Sequence, residues 1–277
     1  ALWNFSLRED LAELDSEFNG VDFGHSNLYE NLLLTGGQDV PAIEERARKQ
    51  TLAFIATQPR LNPNEEAIAP TYMKLAWRAQ NTFDEAHALH RATYDIAVSD
   101  EPDKDRAIRN VLAYYKDSAY AITSKRLDHH RLDQFPYSKA FRTRFPLFNA
   151  TIWSYHYLQV AVYDPLQAAR DLAAKTQAVR PILATYRRYL EQPPVQWTFM
   201  PLTAELSPQF AARYPELANI FDNLHMLHDN ISAILTSERL PTWEAKRAEI
   251  YRVLNSYYLA SADATNPMIV QGQEHHH

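Results

Sequence analysis

Apolar side chains recur at three- and four-residue steps along most of the chain, the spacing of one face of an α-helix. The longest such run starts at Pro70 and reaches ~98, carrying Tyr72, Leu75, Ala76, Phe83, His87, His90 and Tyr94 on a related stripe. Before it the pattern predicts a short acidic helix at ~7–16, a second at ~21–34 stopped by Gly36-Gly37, and a third from Pro41 to ~57. A loop follows from Gln58-Pro59 to Pro63. After it come helices at ~104–123, ~146–162, ~166–191 (kinked or interrupted at Pro181), from near Pro215 to ~237, and ~242–262. Strand signals are sparse, so the expected fold class is all-α, a helical bundle.

The pattern also repeats on a larger scale. Phe83-Asp84-x-x-His87-x-Leu89-His90 recurs as Phe221-Asp222-x-x-His225-x-Leu227-His228, 138 positions later in a chain of 277. Pro70/Pro208, Tyr72/Phe210 and Asn81/Asn219 keep the same offset upstream. Phe18-Asn19 leads to His25 as Phe148-Asn149 leads to His156, and Val111-Leu112 with Tyr114-Tyr115 returns as Val253-Leu254 with Tyr257-Tyr258. Offsets that drift slightly suit insertions between shared helices. The expectation is an internal duplication with a first repeat at 1–123, a connecting segment at 124–145, a second repeat at 146–264, and a tail at 265–277 that ends in a purification-tag remnant, His275 to His277.

In HxxH on a helix, the two imidazoles lie about 60° apart around the axis and about one turn apart along it, close enough to share an ion. Candidate ligands are therefore His87, His90, His225 and His228, joined by His25 and His156. Asp84 and Asp222 each stand three residues before the first histidine of a pair, placed either to ligate or to orient an imidazole. Two arrangements are open: one centre per half, or one shared centre between halves packed about a pseudo-twofold axis. Arg91 and Asp229 occupy equivalent positions with opposite charge and could meet across such an axis. Glu30, Gln159 and Asp164 are weaker ligand candidates. The tyrosine pairs read as packing, and His129-His130 as solvent-facing.

Composition narrows the chemistry. Five glycines, 46% hydrophobic and 12% aromatic residues favour a helical chain with ample core. A net charge of −6 with both signs interspersed argues against a nucleic-acid partner. No apolar run approaches the roughly 18 residues of a membrane span. With no cysteine there is no disulfide, thiolate ligand or covalently attached haem. That absence, with a chain opening at Ala1, leads to the expectation of a periplasmic or extracellular protein. Six imidazoles without thiolates suit copper, iron, zinc or non-covalent haem. No Gly-rich phosphate loop, nucleophile elbow or HExxH motif is present. The layout resembles in outline the imelysin-like group, but Gly24-His25 with Glu30, and His156 with Gln159, do not meet that group's GxHxxE spacing, and the chain is not assigned to it.

The expected function is thus an exported metal- or haem-binding protein, with redox activity and a redox partner as part of that expectation. The competing expectation is a non-catalytic subunit of a larger assembly, whose histidines form a buried hydrogen-bond network.

Overall fold

The structure, a computed structural model, describes residues 5–35 and 38–258. They fold as helices throughout: α1 (Ser6–Asp10), α2 (Ala12–Thr35), α3 (Val40–Ala56), α4 (Glu65–Ile68), α5 (Pro70–Val98) and α6 (Lys104–Lys116). A 3-10 turn (His129–Gln134) then leads to α7 (Ser138–Arg144), α8 (Pro146–Ala161), α9 (Tyr163–Ala168) and α10 (Leu172–Glu191). The last four are α11 (Thr203–Leu206), α12 (Pro208–Arg213), α13 (Pro215–Leu235) and α14 (Trp243–Tyr257). The all-α expectation holds.

Local chemistry explains most boundaries. Proline occupies the first turn of α3, α5, α8, α12 and α13, where its missing N–H has no intrahelical partner to lose. Asp103, Asp171 and Thr242 cap α6, α10 and α14 by accepting a backbone N–H three residues on. The C-terminus of α5 is closed by two cations: Lys104 Nζ donates to Ala97 O and Ser99 O, and Lys175 Nζ to Ala97 O and Val98 O. Lys246 does the same for α13, donating to Ile234 O and Ser237 O. Positive charge at the carbonyl end of a helix complements its dipole.

Several predicted boundaries move. The two helices expected at ~7–16 and ~21–34 are a break at Leu11 followed by one unbroken α2. Asn19-Gly20 reads locally as a breaker, but α2 is buried on nearly every side, and packing outweighs propensity there. Gly20 is needed at that point because a Cβ would collide with Ile55 of α3. The ~104–123 helix ends at Lys116. The ~166–191 helix is α9 and α10, separated at 169–171, and Pro181 lies inside α10 without ending it. The 124–145 connection carries the 3-10 turn and α7. Gly36-Gly37 and residues beyond 258 lie outside the described residues.

One hydrophobic core runs through both halves of the chain. Tyr29 of α2 donates to His228 O of α13 at 3.3 Å, and Glu44 of α3 accepts the Phe148 N–H in the first turn of α8 at 2.7 Å. Burial pushes the Glu44 carboxyl up to about 7, against the partial support of the Phe148 and Leu147 N–H groups. A raised carboxyl value means that the stabilising protonated form is fully populated below the ordinary value and is lost as pH rises through about 7. Glu44→Gln keeps an acceptor for Phe148. It is therefore expected to melt close to wild type at pH 4 and to be more stable by on the order of 2–3 kcal/mol at pH 8. Equal stability of the two proteins at both pH values would show that the carboxyl ionises there without cost.

Candidate metal centre

Four helices, α2, α5, α8 and α13, pack against one another at the middle of the core and bring six histidines together. His25 comes from α2, His87 and His90 from α5, His156 from α8, and His225 and His228 from α13. None is more than 4% exposed. The rings form one connected cluster. His25 stacks on His228 at 4.1 Å between centroids and His156 on His225 at 4.0 Å. His87 lies 5.6 Å from His25, and His156 lies 5.8 Å from His25. The two HxxH helices also cross-pair: His87 to His228 is 5.5 Å, and His90 to His225 is 5.7 Å.

Hydrogen bonding satisfies few of these rings. His90 Nδ1 pairs with the Tyr163 hydroxyl at 2.6 Å, and His156 Nε2 with His228 Nδ1 at 3.2 Å. Nine of the twelve ring nitrogens have no hydrogen-bond partner, including both nitrogens of His25, His87 and His225. An unsatisfied buried polar atom costs about 1–3 kcal/mol, while a whole domain retains only about 5–15 kcal/mol of net stability. Ring stacking returns about 0.5–1.5 kcal/mol per pair and does not close that gap. A cluster of this kind calls for something that binds imidazole nitrogen. Burial also holds all six rings neutral. Desolvation is the largest cause in every case, with His87 pushed down to about 3 and the other five well below the ordinary imidazole value. Neutral imidazole is the form that ligates metal.

Two groups of donor atoms converge within 4.8 Å: His25, His156 and His228, all buried, and Asp22, Glu65 and His87. A tetrahedral ion with metal–nitrogen bonds of about 2.0–2.1 Å wants its ligands about 3.3 Å apart, a separation that His156 Nε2 and His228 Nδ1 already have at 3.2 Å. At its edge α2 and α8 touch closely: a Cβ at Gly24, next to His25, would run into the ring and hydroxyl of Tyr155. Only glycine permits that approach.

The carboxylates expected beside the pairs go elsewhere. Asp222 accepts the Thr203 N–H at 2.8 Å and its hydroxyl at 2.7 Å, so it caps α11. Asp84 is exposed, accepts from Gln80 Nε2 at 2.7 Å, and lies beside the Glu65 carboxyl rather than turning to an imidazole. Arg91 and Asp229 do not meet. Arg91 binds Asp15 and Asn19 of α2, while Asp229 accepts from Trp153 Nε1 at 2.9 Å. Each thereby ties its HxxH helix to the helix bearing the lone histidine. Glu30 caps α5 through Thr71 and Tyr72, and Asp164 caps α12 through Gln209 and Phe210. Gln159, one turn beyond His156, is buried with both amide atoms unpartnered.

The tyrosine pairs do packing work. Tyr115, Tyr257 and Tyr258 are buried with bonded hydroxyls, and Tyr114 is exposed. His130 is exposed as expected. His129 corrects the expectation, being half-buried with its value pushed down to about 4, chiefly by burial.

Sequence reasoning passed over Asp22 and Glu65. Asp22 carried a usable signal, since Asp22-x-x-His25 repeats the Asp-to-His spacing of both pairs. Glu65 had none, because a four-residue helix after a loop gives no periodicity.

Fold and site define a class: an all-α protein with a buried polyhistidine core. No protein-family model matches the chain, and no curated protein and no solved structure matches it. Among the described residues no helix is long and apolar enough to cross a membrane.

Proposed function

We propose that the protein binds transition-metal ions in its imidazole cluster. His25, His156 and His228 are the leading ligand set, with His90 and His225 adjoining them. The observation that carries this reading is the buried cluster of six neutral imidazoles with nine unpartnered nitrogens. An all-nitrogen donor set without thiolate suits copper, iron or zinc. Rings stacked at 4.0–4.1 Å leave no space for a haem slab between them. The Tyr163 hydroxyl on His90 Nδ1 fixes that ring and leaves Nε2 as its ligand atom. Redox activity with an electron-exchanging partner, and a location outside the cytoplasm, belong to the same proposal. The Cys-free composition supports the location.

The internal duplication is part of this reading too. Two features support it: each HxxH helix packs against the helix that follows it, α5 with α6 and α13 with α14, and a lysine of that following helix closes its C-terminus.

The test is elemental analysis with an absorption spectrum on tag-free protein offered copper, iron, zinc and haem in turn. Stoichiometric copper, iron or zinc is expected, lost in the His156→Ala/His228→Ala double variant and retained when exposed His130 is changed to Ala. Failure to take up any of these ions, or a Soret band in place of bound ions, would overturn the proposal.

A further inference from the structure

The second donor group differs in chemistry from the first. We propose that Asp22, Glu65 and His87 form a separate cation site beside the imidazole cluster, selective for a harder divalent ion of the Mn(II) or Fe(II) class. Three elements build it. Asp22 projects from α2 one turn before His25, His87 from α5, and Glu65 from α4, the short helix between α3 and α5. Their donor atoms lie within 4.8 Å of one another. Asp22 Oδ1 and His87 Nδ1 are 3.2 Å apart, close to the separation of neighbouring ligands on one ion, yet they form no hydrogen bond.

The group has unspent binding capacity on all three members. Asp22 is 2% exposed and its Oδ1 is unpartnered, both ring nitrogens of His87 are unpartnered at 4% exposure, and Glu65 Oε2 is unpartnered. Three carboxyl groups crowd together here. Asp84 abuts Glu65 and adds a third carboxylate, while the nearest cation, Arg91, is spent on Asp15 and Asn19. A dication in this position satisfies the orphaned atoms together, displacing any protons the carboxyls hold. One imidazole with two or three carboxylate groups is an oxygen-rich set, suited to manganese or ferrous iron, whereas the all-imidazole set next to it favours copper or zinc.

Placement sets a further difference between the sites. The imidazole cluster is sealed in the core, but the carboxylate site reaches solvent through half-buried Glu65 and exposed Asp84. Cations therefore exchange faster at the carboxylate site. His87 lies 5.6 Å from His25 and 5.5 Å from His228 between ring centroids, so the two ions would be close neighbours, a mixed pair rather than two equal ones.

The experiment loads tag-free protein with one equivalent of Cu(II) and titrates it with Mn(II), following loss of the free-ion EPR signal. One additional Mn(II) per chain is expected. Glu65→Gln and Asp22→Asn should each weaken Mn(II) binding at least tenfold while copper uptake is unchanged. His156→Ala should lose copper and keep manganese. Glu65 is at the solvent edge, so Glu65→Gln serves even if Asp22→Asn fails to fold. Absence of Mn(II) binding to wild type, or binding that neither carboxylate substitution weakens, would overturn the second site. Manganese bound by a chain that takes no copper would instead remove the imidazole proposal and leave this one standing.

Discussion

Saturating the tag-free, metal-free protein with Cu(II) or Zn(II) raises its melting temperature by about 8–16 °C. An ion that binds only the folded chain stabilises it by about 4 kcal/mol at a thousandfold excess over Kd, and each kcal/mol is worth about 2–4 °C in a chain of this size class. The folded state is where the ligands exist as a set: His25, His156 and His228 come from three helices more than seventy residues apart, so the unfolded chain offers no equivalent site. Chelator reverses the shift. The His156→Ala/His228→Ala variant shows none of it, because removing two of three donors leaves no site for the ion to hold the helices together. A metal-free protein that melts at the same temperature with and without these ions would leave the imidazoles as a structural network only.

Acid is the second large perturbation. The folded values of all six imidazoles lie below their unfolded value near 6.5. As pH falls below that value the unfolded chain takes up protons that the folded core refuses. Each ring then withdraws stability at up to about 1.4 kcal/mol per pH unit. Buried carboxyls act in the opposite sense. Asp22 is pushed up to about 8, Glu44, Asp222 and Asp229 to about 7, and Asp95 to about 6, each chiefly by burial. Between about pH 4 and 7 the folded state holds protons on these groups that the unfolded state has released. Glu17, Glu65 and Asp84 are raised as well, so from pH 6.5 to about 4.5 the carboxyls oppose the histidines. Below that the unfolded carboxyls are protonated as well, the histidines act alone, and the metal-free protein collapses steeply. Urea unfolding from pH 6.5 to 3.5 should show a plateau and then a loss of several kcal/mol. His225→Leu should soften the fall, since it removes one ring with two unpartnered nitrogens. Stability unchanged down to pH 3.5 would mean that water or protons reach these rings freely.

The helices were legible because their information is local. Proline at the first turn of α5, α8 and α13, and apolar steps of three and four, need no knowledge of neighbours, and they located all three to within about two residues. Legibility failed where packing overrode local preference. Asn19-Gly20 looks like a break, yet α2 runs through it because Gly20 lets α3 approach. The six histidines were legible as candidates because four of them form two recurring spaced pairs and the other two follow a shared Phe-Asn. Their carboxylate neighbours were not, because Asp84 and Asp222 stand at the right spacing along a helix but point to partners that the spacing does not encode.

What the sequence determined by itself was therefore the all-α class, the elements that carry the histidines, and the identity of the six rings, since each rests on periodicity within one segment. Tertiary structure alone decided that the rings form one cluster rather than two, that Asp22 and Glu65 rather than Asp84 and Asp222 stand with an imidazole, and that the cluster is starved of hydrogen bonds. Those properties depend on which helices cross and on what remains unpaired where they do. Crossing is fixed by the mutual burial of α2, α5, α8 and α13, which no single segment of the chain contains.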